Sequence, residues 1–534
     1  MPRLRRLPSL FALVLAVVAG LGAGSSVRAD TPPNMLVMAM AMDDIISLDP
    51  AEVFEFSGAE ADGNLYDRLF RANPDDPAEP IPEALEGWSV SDDGQRFTLA
   101  VRPGITFHSG NPLTAEDVVF SLHRAVILNK APAFILTQFG WTPERLDQQV
   151  RAAGPMTVEH LIERPLAPSL VVNALSAGVS AVVDKQLLLE HQQDGDLGNA
   201  WLKTHDAGSG PFSLRAWNAG EFLMLDAFPD YWDGAPKMQR VVVRDIREAS
   251  TQRLLLENGD IDIARNIGPD QAKGLAGNPD IETRSAANGR IFYLGLNQKN
   301  PTLAKPEVRE ALRWLVDYQG IADRLLEGRA EVRQVFLPRG MFGAIDDAPF
   351  SPDLAKAKAL LAEAGVGDGF AVTMDTRSTT PTIEVAQALQ ASFAEAGISL
   401  EIIPGDGKQT LTKYRARRHD IYIGAWGPDY LDPHSNAVAF ASNPDNSDDS
   451  DDKSLAWRNA WDIPELTAET AAAKRERDLA RRVAMYADLQ RAIQADSPFV
   501  IMFQERDLIA LRKGVEGFKT HLLSGSNVYK NVTK

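Results

Sequence analysis

Apolar and polar positions along the chain follow two periods. Met35 to Met42 (MLVMAMAM) is an unbroken apolar run of strand length, the pattern of a strand buried on both faces. Phe97 to Val101 (FTLAV) reads as a strand closed by the turn at Pro103-Gly104. Short β-type runs recur at 241–246, 291–297, 398–403 and 420–425. A helical period takes over at 306–327, 353–364 and 382–396, the last two stopped by Gly365 and Gly397. Thr114 suits the N-cap of a helix that opens Ala115-Glu116-Asp117 and runs to about Val126, with two acids at its positive end. Asp49-Pro50 marks a turn, Leu65 to Phe70 reads as a helix end, and the Pro- and Asp-rich stretch 71–82 reads as a loop. Residues 465–494 read as a long charged helix or a helix pair. Strands and helices alternate in the second half, which argues an α/β lobe. There is no internal repeat.

Length changes this picture first. A chain of 534 residues exceeds what one core supports, so two or more lobes are expected. Residues 1–29 stand apart: Arg3, Arg5 and Arg6 precede an apolar stretch from Leu10 to Leu21, and Val27-Arg28-Ala29 offers small residues before a cut. That order is a secretory signal peptide, with Asp30 as the new N-terminus. The net charge of −18 argues against nucleic acid or an anionic membrane as partner. With no cysteine, disulfides, zinc-thiolate sites, thiol nucleophiles and a lipidated N-terminus are excluded, and a free periplasmic protein of a Gram-negative cell is expected. The acidic run Asp445 to Asp452 lacks the spacing and glycine of a calcium loop and reads as a solvated loop.

Signatures of catalysis are missing. There is no His-Glu-x-x-His pair, no Gly-x-Ser-x-Gly elbow, and no phosphate loop before Gly407-Lys408. The eight histidines form no i, i+3 or i+4 pair, so no helical metal site is indicated. A two-carboxylate hydrolase gains no specific support. No catalytic residue, metal or cofactor is therefore assigned.

The stretch Arg102-x-Gly104-x-x-Phe107-His108-x-Gly110-x-Pro112-Leu113-Thr114-Ala115-x-Asp117-Val118 resembles the signature of the peptide/nickel class of solute-binding proteins of ABC importers. Further matches are Leu48-Asp49-Pro50-Ala51, Tyr66-x-x-Leu69-Phe70, Gly208-Ser209-Gly210-Pro211-Phe212, Tyr231-Trp232-x-Gly234, Asp260-Ile261-Asp262, Val308-Arg309-x-Ala311-Leu312 and Trp426-Gly427-Pro428-Asp429-Tyr430-x-Asp432-Pro433. The resemblance implies an α/β, two-lobed periplasmic binding protein fold of the large peptide-binding type, with a ligand cleft between the lobes. Lobe I, with an extra subdomain, would span 30–294, lobe II 295–504, and a C-terminal segment 505–534 would return to lobe I. Crossing strands are expected near Phe292–Asn297 and Phe499–Gln504. The implied partners are a small solute or peptide and an inner-membrane permease, and the chain would act as a monomer. Most of the signature block reads as turns and caps.

The resemblance also implies site residues. In peptide-binding members the Asp of the Trp-x-x-Asp motif pairs with the ligand's ammonium, which here is Asp429 flanked by Trp426 and Tyr430. A carboxylate in a closing, water-excluding cleft can make a charge-assisted hydrogen bond worth ~1.5–3 kcal/mol. The opposing wall would be Glu55, Phe56, Ser57 and Gly58. Basic residues that fix the ligand's carboxylate in relatives are missing: Ile383 and Glu384 stand where dipeptide receptors carry an Arg pair, and Ile423 where oligopeptide receptors carry an Arg. Arg377 is the available substitute. Without it the site lacks a carboxylate clamp and gains the acid Glu384, which favours an amine-bearing or cationic guest, with opines, sugars and metal chelates as alternatives.

Overall fold

The structure, a computed structural model, describes residues 30–73, 76, 79–450 and 453–534. The leader expected at 1–29 lies outside them, as do Asp451 and Asp452 of the acidic run. Six strands position the site: β1 (Met35–Met40), β2 (Ile281–Leu296), β3 (Phe370–Arg377), β4 (Ile398–Gly405), β5 (Ile421–Trp426) and β6 (Phe499–Arg512). They belong to one eleven-stranded sheet whose path runs β4, β3, β5, β2, β6, then Ile263–Ala264, β1, Arg240–Asp245, Phe222–Ala227 and Phe212–Asn218, with Ala330–Val332 pairing β6 off that path. The continuous apolar run of β1 has the expected cause. Leu36, Met38 and Met40 enter one core with Leu225 and Val241, while Val37 and Ala39 enter another with Leu256 and Ile261. Both faces are buried, so neither can be polar.

The two lobes share β2 and β6. From Ile281 to Ala287, β2 pairs with the Arg512–Arg506 end of β6, beside β1; from Ile291 onward it pairs with Gln504 to Phe499, beside β5. Between these stretches the ladder loses its register, from Ala287 to Ile291. An irregular ladder has fewer bonds to break when the strands bend there. Lobe II packs Leu294, Ile423, Met374, Leu389 and Val500 on one side of its sheet and Tyr293, Phe440, Tyr486 and Phe499 on the other.

The extra subdomain is a four-stranded antiparallel sheet, in the order Leu85–Val90, Arg96–Val101, Thr157–Leu161, Val150–Gly154, over a core that includes Phe97, Leu99, Phe107 and Trp141. The signature block serves this subdomain. Arg102 donates to the Glu83 and Leu85 carbonyls at 3.0 and 2.8 Å, and the His108 ring bridges Asp206 and the Gly210 carbonyl at 2.7 and 2.9 Å. Thr114 is the N-cap, as expected, and closes a capping box with Asp117, whose carboxylate accepts the Thr114 amide at 2.9 Å and its hydroxyl at 2.7 Å. The C-terminal segment lies on lobe I, where the Tyr529 hydroxyl donates to Glu60 at 2.6 Å and Tyr529 and Val532 enter the core of β1.

Two expected elements differ. Only Leu65 of the 65–70 stretch is helical; from Tyr66 the chain is extended and Phe70 opens a two-residue strand. The buried Asp67 carboxylate holds that extended path by accepting Ser209, Tyr231 and Trp232 at 2.8, 2.8 and 3.2 Å. The 306–327 helix ends at Trp314, because Asp317 starts a new turn by accepting the Gly320 amide at 2.9 Å. Residues 465–494 are a helix pair, Pro464–Arg475 and Leu479–Ala495, the second capped by Asp478.

Gly208-Ser209-Gly210 must carry glycine because another stretch of backbone passes against it. A Cβ on Gly210 would lie 2.7 Å from the Tyr66 amide nitrogen and 2.8 Å from the Asn64 carbonyl oxygen. Neither atom belongs to a flexible side chain. Gly210→Ala is expected to cost about 1–3 kcal/mol or more, read as a lowered midpoint in denaturant unfolding. An unchanged midpoint would show that this contact yields.

Candidate ligand cleft between the lobes

Strand β5 presents different residues to its two faces. Ile421 and Ile423 point into one lobe II core, and Tyr422, Gly424 and Trp426 share the other face. Beyond Trp426 the backbone leaves the sheet and meets both the hinge and lobe I. A Cβ on Gly427 would come 2.9 Å from Phe56 Cε1, and one on Gly289 of the hinge 2.8 Å from Pro428 Cδ. Phe56 opens the helix α1 (Phe56–Leu65) of lobe I and lies under the Arg290 guanidinium at 5.0 Å. The two walls expected from sequence therefore meet at one place. Arg290 is held by Glu505 at 2.6 Å and Asp507 at 3.2 Å, so it fixes the crossing strands.

Two acids three residues apart on this loop have opposite roles. Asp432 is fully buried; its oxygens accept both Arg482 terminal nitrogens at 2.6 Å and the His434 amide at 2.9 Å. Among the described residues Asp429 forms no ion pair; its carboxylate accepts the Ser435 hydroxyl at 3.4 Å, and the same hydroxyl accepts the Asp429 amide at 2.8 Å. Burial without a countercharge pushes the Asp429 carboxyl up to about 7. A desolvated carboxylate with an unfilled need for a cation is suited to receive an ammonium.

The other expected residues separate into two groups. Glu55 lies in the cleft: burial lifts its carboxyl, the nearby Asp44 adds to the lift, and Arg415 opposes it from lobe II. Phe56 is 42% exposed beside Gly427 and can offer a ring face. The Ser57 amide and hydroxyl are turned to the Asp44 carboxylate and the Ala41 carbonyl, both at 3.3 Å. Arg377 ends β3 and rests against Gly407, the first residue of α2 (Gly407–Arg415). Glu384 accepts the Thr380 hydroxyl at 3.4 Å and faces Arg329. Tyr430 and Gly58 do not line the cleft. Tyr430 is 1% exposed in the subdomain core, its hydroxyl accepting Gln138 at 3.4 Å; Gly58 is buried, and a Cβ there would come 3.2 Å from Val53. Both positions are explained by packing. Sequence reasoning missed Asp44, Tyr422, Arg415 and Arg458, which reach the cleft from four separate segments. Only Tyr422 had a signal, its two-residue spacing from Gly424 and Trp426.

Residues 79–448 match the model of the bacterial extracellular solute-binding proteins, family 5 Middle. The chain belongs to this family. Family relatives span nearly its whole length. It is 29% identical over 517 residues, 96% of this chain and 95% of the relative, to a probable D,D-dipeptide-binding periplasmic protein of Escherichia coli K12. It is 25% identical, over 94% of this chain and 95% of the relative, to a glutathione-binding protein of Salmonella paratyphi A. Among solved structures it resembles the ABC transporter-associated periplasmic binding protein DppA of Helicobacter pylori in complex with the peptide STSA. There the TM-score is 0.82 at 26% identity, covering 93% of this chain and 98% of the other. The family fold is two-lobed, in keeping with the lobes that β2 and β6 join here.

Proposed function

We propose that this chain is the extracytoplasmic receptor of an ABC importer, capturing a peptide or related amine-bearing solute between its lobes and delivering it to a membrane permease. It works in the periplasm as a monomer after removal of residues 1–29. Lobe I extends from residue 30 into β2 and lobe II lies between the crossings, which we place at Ala287–Ile291 and Gln504–Arg506. The C-terminal segment completes lobe I.

The observation that carries this reading is Asp429: a desolvated carboxylate on lobe II, without a cation, at the point where Phe56 of lobe I and the hinge converge. An ammonium bound there would be shielded by Trp426 and Phe56, whose ring faces favour cations. A guest touching both lobes prefers the closed form, and that preference is the signal a permease can read. The relatives named for D,D-dipeptides and glutathione, and the structure holding STSA, support a peptide-like guest.

The test is a pH series of isothermal titrations with the dipeptide Ala-Gln. Only ionised Asp429 pairs with an ammonium, and its carboxyl titrates near 7. Affinity should therefore be level above about pH 7.5 and fall by about tenfold per unit below pH 7. A flat profile between about pH 5 and 8 would remove Asp429 from the site.

A further inference from the structure

The extra subdomain is tied to lobe I by charge as well as by chain. Its helix Ala115–Leu128 sends Arg124 to Asp49 of lobe I, two buried side chains joined by bonds of 2.6 and 2.5 Å. Lobe II reaches the same subdomain in a different way. Among the described residues no ion pair crosses between them, and the polar contacts are long. The Ala167 amide donates to the Lys474 carbonyl at 3.3 Å, Lys474 Nζ to the Gln138 carbonyl at 3.4 Å, and Arg482 to the Ser169 hydroxyl at 3.3 Å.

One lobe II side chain goes further. Tyr430 is 1% exposed in a core whose other buried members all lie within residues 51–182. Its hydroxyl accepts Gln138 at 3.4 Å, too long to be the main hold, so the ring itself makes the contact. A tyrosine side chain buries ~150–250 Å² in such a seat. The contact between subdomain and lobe II is therefore an apolar plug with a weak polar rim, the character of an interface that can part.

It has to part. The two walls of the cleft meet where Phe56 approaches Gly427, so lobe II must swing away from lobe I before a guest can enter. The Arg124–Asp49 pair keeps the subdomain on lobe I, and the contact that yields is the one Tyr430 makes. Withdrawing the ring exposes it to water and leaves a hole in the subdomain core, and both effects oppose opening. We propose that Tyr430 is a clasp: it seats in the subdomain of lobe I when the lobes close and holds part of the guest-free protein shut. The clasp rests on the reading of the chain as a closing receptor and adds a closed state that exists before any guest. Apparent affinity for a guest scales with the fraction of protein in the form that binds it, so the clasp raises affinity without touching the guest. Tyr430 also adjoins Asp429 in the chain, so the seated ring fixes the loop that carries the amine anchor.

The test measures the gap between subdomain and lobe II. The chain has no cysteine, so Gln148→Cys on the subdomain and Glu469→Cys on the helix Pro464–Arg475, both exposed, can each carry one spin label. Pulsed electron double resonance of the guest-free protein should show two distances, the shorter growing as Ala-Gln is added. Tyr430→Ala should lower the short-to-long ratio at least about tenfold and weaken Ala-Gln by the factor by which the closed fraction falls. Tyr430→Leu keeps an apolar side chain for the seat and should show the same match at a smaller factor, which preserves the test if the alanine variant does not fold. Guest-free distances that are unchanged in Tyr430→Ala overturn the clasp; if Ala-Gln nevertheless binds more weakly, Tyr430 is a positioning residue for Asp429. A wild type with only the long distance before Ala-Gln is added overturns it too, and one short distance in every sample makes the contact permanent packing. Failure of Ala-Gln to bind the wild type counts against the receptor reading for such peptides, while the guest-free distances of wild type and Tyr430→Ala still decide the clasp.

Discussion

Asp429→Asn is expected to lower the affinity for an amine-bearing peptide by at least about 30-fold, the effect of removing one partner of a buried charge pair. It is also expected to make the ligand-free protein more stable at about pH 8. The two effects share one cause. In the unfolded chain this carboxyl titrates near 3.8; in the folded chain burial pushes it to about 7. The folded state therefore holds a proton that the unfolded state has released throughout that interval. Stability contributed by this residue falls as pH rises from about 4 and reaches its lowest level above about 7. At pH 8 the fold carries an ionised, desolvated carboxylate that, among the described residues, has the Ser435 hydroxyl and no cation as partner, and an amide removes that burden while keeping the Ser435 contact. Calorimetry should place the variant's unfolding a few degrees above wild type at about pH 8 and level with it at about pH 4. Destabilisation at both values would make Asp429 a structural acid, and the anchor would have to be sought elsewhere.

What the sequence revealed follows from the range over which each interaction acts. β1 and β5 were legible because a strand buried on both faces must be apolar throughout, and Thr114 was legible as a helix start because caps are local. The helix expected at 306–327 failed because a single side chain, Asp317, restarts the turn, an event invisible to a periodicity extending over the whole segment. At the candidate site, Asp429, Trp426, Glu55 and Phe56 came from motif and position, and the structure brings their two segments together where Phe56 meets Gly427. Tyr430 could not be separated from them by sequence, since an aromatic beside a motif acid looks the same whether it faces a guest or the Gln138 side chain of the subdomain. Arg415 and Arg458 were invisible for a different reason. Each is an ordinary cation at the end of a helix, and only the fold of lobe II sets both beside Tyr422.

Arg482→Met is expected to destabilise the protein by about 3–5 kcal/mol, the largest stability effect of any substitution near the cleft. Arg482 is 1% exposed and Asp432 0%, and two parallel bonds of 2.6 Å join them. Removing the guanidinium strands a buried carboxylate, which is far costlier than the net value of the pair because ionic attraction and desolvation nearly cancel while both partners are present. The double variant Asp432→Asn with Arg482→Met separates these terms. Asparagine retains the cap on the His434 amide while removing the charge, so the pair of substitutions should cost less than about 2 kcal/mol, well below Arg482→Met alone. Denaturant midpoints of the three proteins measure the coupling directly. Arg482 also reaches Ser169 of the subdomain at 3.3 Å, so the ion pair fixes the turn that presents Asp429 without touching a guest. Asp432→Asn with Arg482→Met should then bind Ala-Gln within about threefold of wild type, in contrast to Asp429→Asn. If the double variant folds as stably as wild type yet fails to bind, the charge at 432 rather than at 429 is the one the guest requires.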